Sequence, residues 1–242
     1  KLLMGRYMSL SDLGYYDKSY RLMMMPLQNI AFVISPVMHP VFAQMQHDIK
    51  KLGEAYLKVI RLLAFIGLPL SAVLWFTAEE LVLIIFGDQW MPSVPAFRIL
   101  ALSVGIQIVM STSGSIFQAA NATRMLFICG LFSATLNVAA ISTGIFAFGT
   151  LEAVAWAICI SFAVNFVQCY HALFCLTLRM KWGPFWRSLL QPLLLTAILS
   201  PALAGIAWLL PETTPHLPSL AAKCAVALVI WLGYIQLSGA YN

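Results

Sequence analysis

Leu13-Gly14-Tyr15-Tyr16-Asp17-Lys18-Ser19-Tyr20-Arg21-Leu22 runs straight into residues 23–46, which carry no formal charge. Crossing a bilayer takes about 20 apolar residues, so this second stretch is long enough to span. Asp17, Lys18 and Arg21 then stand at the mouth of a membrane helix. A charge there is costly unless it faces protein or a watery cavity. The remainder of the chain is further apolar helix able to wall such a cavity.

Composition supports that reading. Of the 242 residues, 61% are hydrophobic and 10% charged, and the mean hydropathy is +0.87. A soluble domain is about 45–50% apolar and about 25% charged. No core of this size hides the excess, so the lipid bilayer is the expected surrounding. The formal charge of +5 is spread in short clusters between apolar runs, as for residues holding helix ends at the lipid surface. That distribution argues against nucleic acid as a partner. Cys129, Cys159, Cys169, Cys175 and Cys224 each lie within an apolar run and read as small buried hydrophobes. Cys169-Tyr170-His171 with Cys175 lacks convincing metal-ligand spacing, and neither metal nor cofactor is expected. The chain begins at Lys1 inside an apolar phrase, shows no signal segment, and ends at Asn242 directly after an apolar run. It is therefore expected to be a piece of a longer protein.

Charge-free runs recur at 22–46, 62–78, 99–123, 125–151, 153–178, 188–211 and 224–242. They predict an all-α, polytopic bundle of about seven membrane-spanning helices, with part of an earlier helix at 1–8. Within residues 46–61, Ile49, Leu52, Tyr56 and Ile60 recur at helical spacing, and Asp48, Lys50, Lys51, Glu54, Lys58 and Arg61 take the other faces. This predicts an amphipathic helix lying in the membrane interface.

One set of links holds Lys50, Lys51, Lys58, Arg61, Arg124, Arg179, Lys181 and Arg187, eight cations, against Arg98 and Lys223, two, on the opposite side. The eight belong in the cytoplasm, which leaves Glu79, Glu80, Asp88, Glu152 and Glu212 outside. Lys1, Arg6, Lys18 and Arg21 fall on that outer side too, making six there, and a purpose is expected for them. Pro26, Pro36 and Pro40 in the first span, Pro69 in the second, and Pro192 and Pro201 in the sixth mark either a bent, cavity-lining helix or a static kink. Small residues recur every fourth position at Ser111, Ser115 and Ala119, and at Ala153, Ala157 and Ser161, the pattern of close helix packing. Asn165, Gln28, Gln107, Gln118 and Asn137 either bond across helices or face a cavity; the sequence leaves both open.

Several phrases together resemble one family. Leu13-Gly14-Tyr15-Tyr16 with Tyr20-Arg21-Leu22 is similar to the entry of a second-half helix in polysaccharide exporters. Pro40-Val41-Phe42, then Gln46-His47-Asp48 and Tyr56, resembles their helix exit and linker. Phe86-Gly87-Asp88-Gln89-Trp90, then Pro95-Ala96-Phe97-Arg98-Ile99-Leu100, resembles their outer turn. Asn121-Ala122-Thr123-Arg124 stands where the family has Gly and then a basic residue, and Asn tolerates the same left-handed turn. His39 stands before Pro40 where a bulky apolar residue is usual. The matches cover residues 2–125.

These exporters are flippases for lipid-linked oligosaccharides, in a superfamily that includes multidrug and toxin extrusion transporters. The resemblance implies an alternating-access transporter of two bundles. Residues 1–180 would be the second bundle, with spans near 22–46, 62–86, 99–123, 125–151 and 153–178, and residues 181–242 would add two C-terminal transmembrane helices. The implied partners are a polyprenyl pyrophosphate-type lipid-linked oligosaccharide and an N-terminal bundle missing from this chain. Localisation would be a bacterial inner membrane, and the protein would not be an enzyme.

A flippase for such a lipid needs cations in a wet groove, and Arg supplies permanent charge and forked donors. Arg21 is the leading candidate, with Lys18 and Arg6 at the cavity mouth and Tyr15, Tyr16 and Tyr20 to stack on sugar rings. Interfacial anchoring is the competing role for all six. Gly87 is expected to end a helix and Trp90 to anchor it. Asp17 and His39 define no proton or sodium site by themselves. A membrane polymerase or ligase would need acid/base or nucleophilic groups gathered in a large outer segment, whereas the links near Asp88, Glu152 and Glu212 are short. A multidrug-type antiporter would want carboxylates deep in these spans.

Overall fold

Ser9 starts the first long helix well ahead of the apolar run. Its hydroxyl accepts from the Asp12 backbone N–H at 3.0 Å and donates to the Asp12 carboxylate at 2.5 Å, satisfying an otherwise unpaired donor of the first turn. In the computed structural model, which describes residues 2–209 and 215–238, α1 (Leu2–Tyr7) leads into α2 (Leu10–Gln44). Lys1 and Glu212 lie outside the described residues. At 35 residues, α2 is about 52 Å long against a hydrocarbon layer of about 30 Å. Its apolar stretch fills that layer, and the tyrosine-rich start projects beyond it. Pro36 and Pro40 remove backbone donors, and α2 bends by 42° between Leu10–Ile34 and Pro36–Gln44.

Asp48 caps α3 (Ile49–Phe76), accepting the Lys51 N–H at 3.1 Å. That bond holds the exposed Asp48 carboxyl below its usual range. Residues 46–61 do not form a separate interfacial helix: most of them belong to α3. Leu52, Tyr56 and Ile60 are fully buried in the protein core, with Tyr56 stacked on Tyr170 and Phe174. An apolar stripe reads the same whether lipid or protein covers it, and here protein does.

The second span also starts and stops earlier than the expected 62–86. Thr77 donates to the Val73 carbonyl at 2.7 Å, and a new helix, α4 (Ala78–Phe86), begins there. Gly87, at φ +91°, ends α4, and a 3₁₀ turn (Asp88–Ser93) leads on. The third span, expected as one helix over 99–123, is three: α5 (Val94–Ala101), α6 (Val104–Met110) and α7 (Ser113–Ala119). At both breaks a serine hydroxyl takes the carbonyl three residues back, Ser103 on Leu100 and Ser111 on Ile108, each at 2.7 Å, in competition with the helical ladder.

Asn121 adopts φ +55° and turns the chain into α8 (Thr123–Thr143), which ends in a wide turn, Gly144–Phe148. Then come α9 (Leu151–His171) with a similar turn at Ala172–Thr177, α10 (Trp182–Leu209) and α11 (His216–Ser238). Among the described residues, five helices are long and apolar enough to cross a membrane, and counting each of the two bent pairs as one span brings the number to seven, as the sequence predicts. α11 starts before the expected 224, so Lys223 is a helix residue and not part of a link.

The broken span α5–α7 is the centre. Phe97, Leu100, Val104, Ile108 and Phe117 are wholly buried there, with α2, α3 and α9 packed around them. α3 crosses α6 at touching distance. A β-carbon on Gly105 would come within 2.8 Å of the Gly67 carbonyl oxygen, and the Gly105 N–H donates to Ser71 Oγ at 2.7 Å. Gly67 and Ser71 are a small-x-x-x-small pair. α10 lies along α3, and α11 along α10 and α4, with a small core of Ala72, Leu199, Leu203 and Ala227. α8 packs chiefly on α9 and leaves Phe127, Leu131 and Val138 exposed on one face, an apolar surface suited to lipid.

Candidate functional site

The start of α2 points its side chains in three directions. Towards the outer turn, Lys18 Nζ lies 4.7 Å from the ring centres of both Phe86 and Trp90, and Tyr15 meets Trp90 edge-on at 6.0 Å. Buried Ser19 donates to the Ser93 carbonyl at 2.9 Å. The cation sits on the negative faces of two rings, so Lys18 and Tyr15 fasten α2 to the turn that Gly87 opens.

A second face looks towards α8 and α9. Tyr16 and Tyr20 stack at 5.8 Å between ring centres and line a hollow of about 290 Å³ with Asn137, Ile158 and Phe162. The third face looks outward. Arg21 Nε lies 2.6 Å from Asp17 Oδ2, with the arginine side chain 70% exposed and the aspartate 24%. Asp17 is four residues N-terminal to Arg21, the favourable order for a helical pair. Arg6 is exposed at the end of α1. The six predicted residues therefore divide. Tyr16 and Tyr20 line one groove, Arg21 faces outward with Asp17, Lys18 and Tyr15 serve the turn, and Arg6 stands apart on α1.

Phe162 also walls a second hollow of about 380 Å³, deeper along α2, where Gln28, Gln107, Ser111 and Asn165 converge. Of the polar residues left open above, Asn137 does both things, lining the first hollow and accepting from Ser161 Oγ at 3.2 Å. Gln118 is exposed and lines neither hollow. Of the stripe Ala153, Ala157 and Ser161, Ser161 is buried and bonds across to Asn137 on α8. The stripe also floors an apolar groove of about 570 Å³ beside α8. A close backbone approach is made instead at Gly67 and Gly105, for which Gly67-x-x-x-Ser71 was the available signal. Among the described residues, no three His, Cys, Asp or Glu side chains gather to hold a metal ion.

The expected outer end is also where the isolated cations find partners. Arg98 pairs with Glu79 at 2.8 Å, Lys223 with Glu80, Arg21 with Asp17 and Lys18 with two rings. Arg21, Arg98 and Lys223 thus each meet a carboxylate on that side.

These features define a multi-pass helical membrane protein with a broken central span and a polar flank. Its fold is that of the lipid II flippase MurJ in an inward closed conformation, with a TM-score of 0.71 over 93% of this chain and 47% of that one, at 13% identity. Residues 1–95 match a family described as polysaccharide biosynthesis protein. The teichuronic acid biosynthesis protein TuaB of Bacillus subtilis is 26% identical over 237 residues, 96% of this chain and 47% of its own. The succinoglycan biosynthesis transport protein ExoT of Rhizobium meliloti is 30% identical over 244 residues, 98% of this chain and 48% of its own. The chain is thus similar to polysaccharide biosynthesis and transport proteins, and it spans about half the length of the curated relatives it matches.

Proposed function

We propose that this chain is the second bundle of a flippase that carries a polyprenyl pyrophosphate-linked oligosaccharide across a bacterial inner membrane. A first bundle, preceding it in the parent protein, would complete the route, and the two would rock to open it to each side in turn. The observation that carries this reading is the Asp17–Arg21 pair, with its guanidinium outward, on the same stretch of α2 as Tyr16 and Tyr20, which line the first hollow. Moving a pyrophosphate through hydrocarbon unaided is prohibitive, because a buried unpaired charge costs many kcal/mol. A forked, permanently charged donor at the entrance lowers that barrier. Asp17 holds Arg21 in place, and a phosphate competes with it for the guanidinium. Tyr16 and Tyr20 present ring faces to the first sugars, while the isoprenoid tail stays in lipid.

Complementation with the full-length parent carrying Arg21→Ala tests this. Surface polysaccharide is expected to fall at least about tenfold at unchanged protein level, the loss of one charge-assisted contact. Normal polysaccharide at normal protein level would remove Arg21 from the mechanism.

A further inference from the structure

The deeper hollow contains no charged group, and its polar side chains are amides and a hydroxyl. Asn165 is 8% exposed, and its buried Oδ1 has no hydrogen-bond partner. Such an atom carries the full desolvation penalty of an unmade bond. Gln107 faces the same space from α6. Its Nε2 donates to Ser103 Oγ at 2.9 Å. The Ser103 proton is committed to the Leu100 carbonyl at 2.7 Å, so Ser103 receives from Gln107, and that fixes the amide with Oε1 away from Ser103. Ser111 likewise gives its proton to the Ile108 carbonyl and keeps its lone pairs. Gln28, on α2, stands at the exposed edge.

We infer that this hollow is a saccharide subsite, taking the hydroxyl groups of an uncharged sugar on the amides of Asn165 and Gln107 and on Ser111. The inference rests on the flippase reading and specifies where the sugar, not the pyrophosphate, is recognised. Gln28 lies seven residues beyond Arg21, about 10 Å along the helix at 1.5 Å per residue. A phosphate group at Arg21 therefore leaves its attached sugars within reach of the hollow, past the Tyr16–Tyr20 pair and Phe162. The site selects by shape and by these neutral polar groups. A sugar lacking a hydroxyl at the contacted position leaves the Asn165 oxygen unpaired, the arrangement by which buried polar groups reject close analogues.

The test uses the purified full-length parent and two probes, undecaprenyl pyrophosphate and the same lipid bearing the parent organism's repeat-unit sugars. The ratio of their dissociation constants isolates the sugar's share. In the unmodified protein the sugar-bearing lipid is expected to bind at least tenfold more tightly. Asn165→Leu combined with Gln107→Met should bring that ratio to about one, with thermal melting reporting that the variant is folded. Gln28→Met, at the edge, should lower the ratio two- to threefold and supplies the reading if the double variant fails to fold. An unchanged ratio in a folded variant, as a hollow filled by the parent's own preceding helix would give, overturns the subsite and leaves the flippase reading standing. No binding of either lipid by the unmodified protein overturns both.

Discussion

Gly105→Val is expected to remove most folded protein from the membrane. The β-carbon alone would sit 2.8 Å from the Gly67 carbonyl oxygen and 2.9 Å from its carbon. These are backbone atoms of a helix held along its whole length, so no side chain can rotate away. The two helices must separate, which also breaks the 2.7 Å bond from the Gly105 N–H to Ser71. Ile108 and Leu100, wholly buried near the crossing, would lose contacts together. Overpacking of a tight core costs about 1–3 kcal/mol and occasionally more, and a lost buried hydrogen bond adds about 1 kcal/mol. Melting of the detergent-purified protein, followed by size exclusion, measures the effect. Gly130→Ala on α8, where nothing lies within 4 Å of the new carbon, is the matched control and should melt at or slightly above the unmodified protein. Equal melting of the two variants would mean that α3 and α6 do not cross as described.

Lys223→Met is the second large effect. Lys223 is 7% exposed and Glu80 is 5% exposed. The ammonium bonds the Glu80 carboxylate and donates to the Phe76 carbonyl at 2.9 Å, while Ser219 donates to the same carboxylate at 2.7 Å. The network ties α11 to the ends of α3 and α4. Removing the lysine strands a buried carboxylate, which costs about 3–5 kcal/mol. Glu80→Gln together with Lys223→Met removes both charges and should recover most of the loss, since a buried pair contributes little net stability compared with neutral packing. A double-mutant cycle on melting free energies reads this as a coupling of at least about 2 kcal/mol. Simple addition of the two single effects would show that the charges do not meet.

The spans were legible because a bilayer imposes a length, and runs such as 125–151 and 153–178 meet it with no charge inside. Turns were legible where backbone chirality restricts the choice: Gly87 ends α4 and Asn121 takes the left-handed turn. The entry helix was only half legible. Its apolar part was plain, but its start at Leu10 is set by Ser9-Leu10-Ser11-Asp12, a short capping signal overshadowed by hydropathy. The amphipathic stripe over 49–60 and the lone Lys223 were misplaced for one reason. Sequence registers that a side chain needs an apolar or anionic partner, and only the fold says whether lipid, water, Tyr170 or Glu80 supplies it. The same limit held at the groove. Gln107 and Asn165 stood out as polar residues in apolar runs, yet their convergence follows from the break in the third span at Ser111.

Everything proposed for α2 requires that Arg21 stand in water and not in acyl chains. Labelling of Arg21→Cys, in a full-length parent lacking its native cysteines, by a membrane-impermeant maleimide on intact spheroplasts tests this most directly. The account predicts rapid modification by the water-soluble reagent from the outer face. A thiol that reacts only with a membrane-soluble maleimide, or with neither, would place this position in lipid or in a dry core and contradict the account.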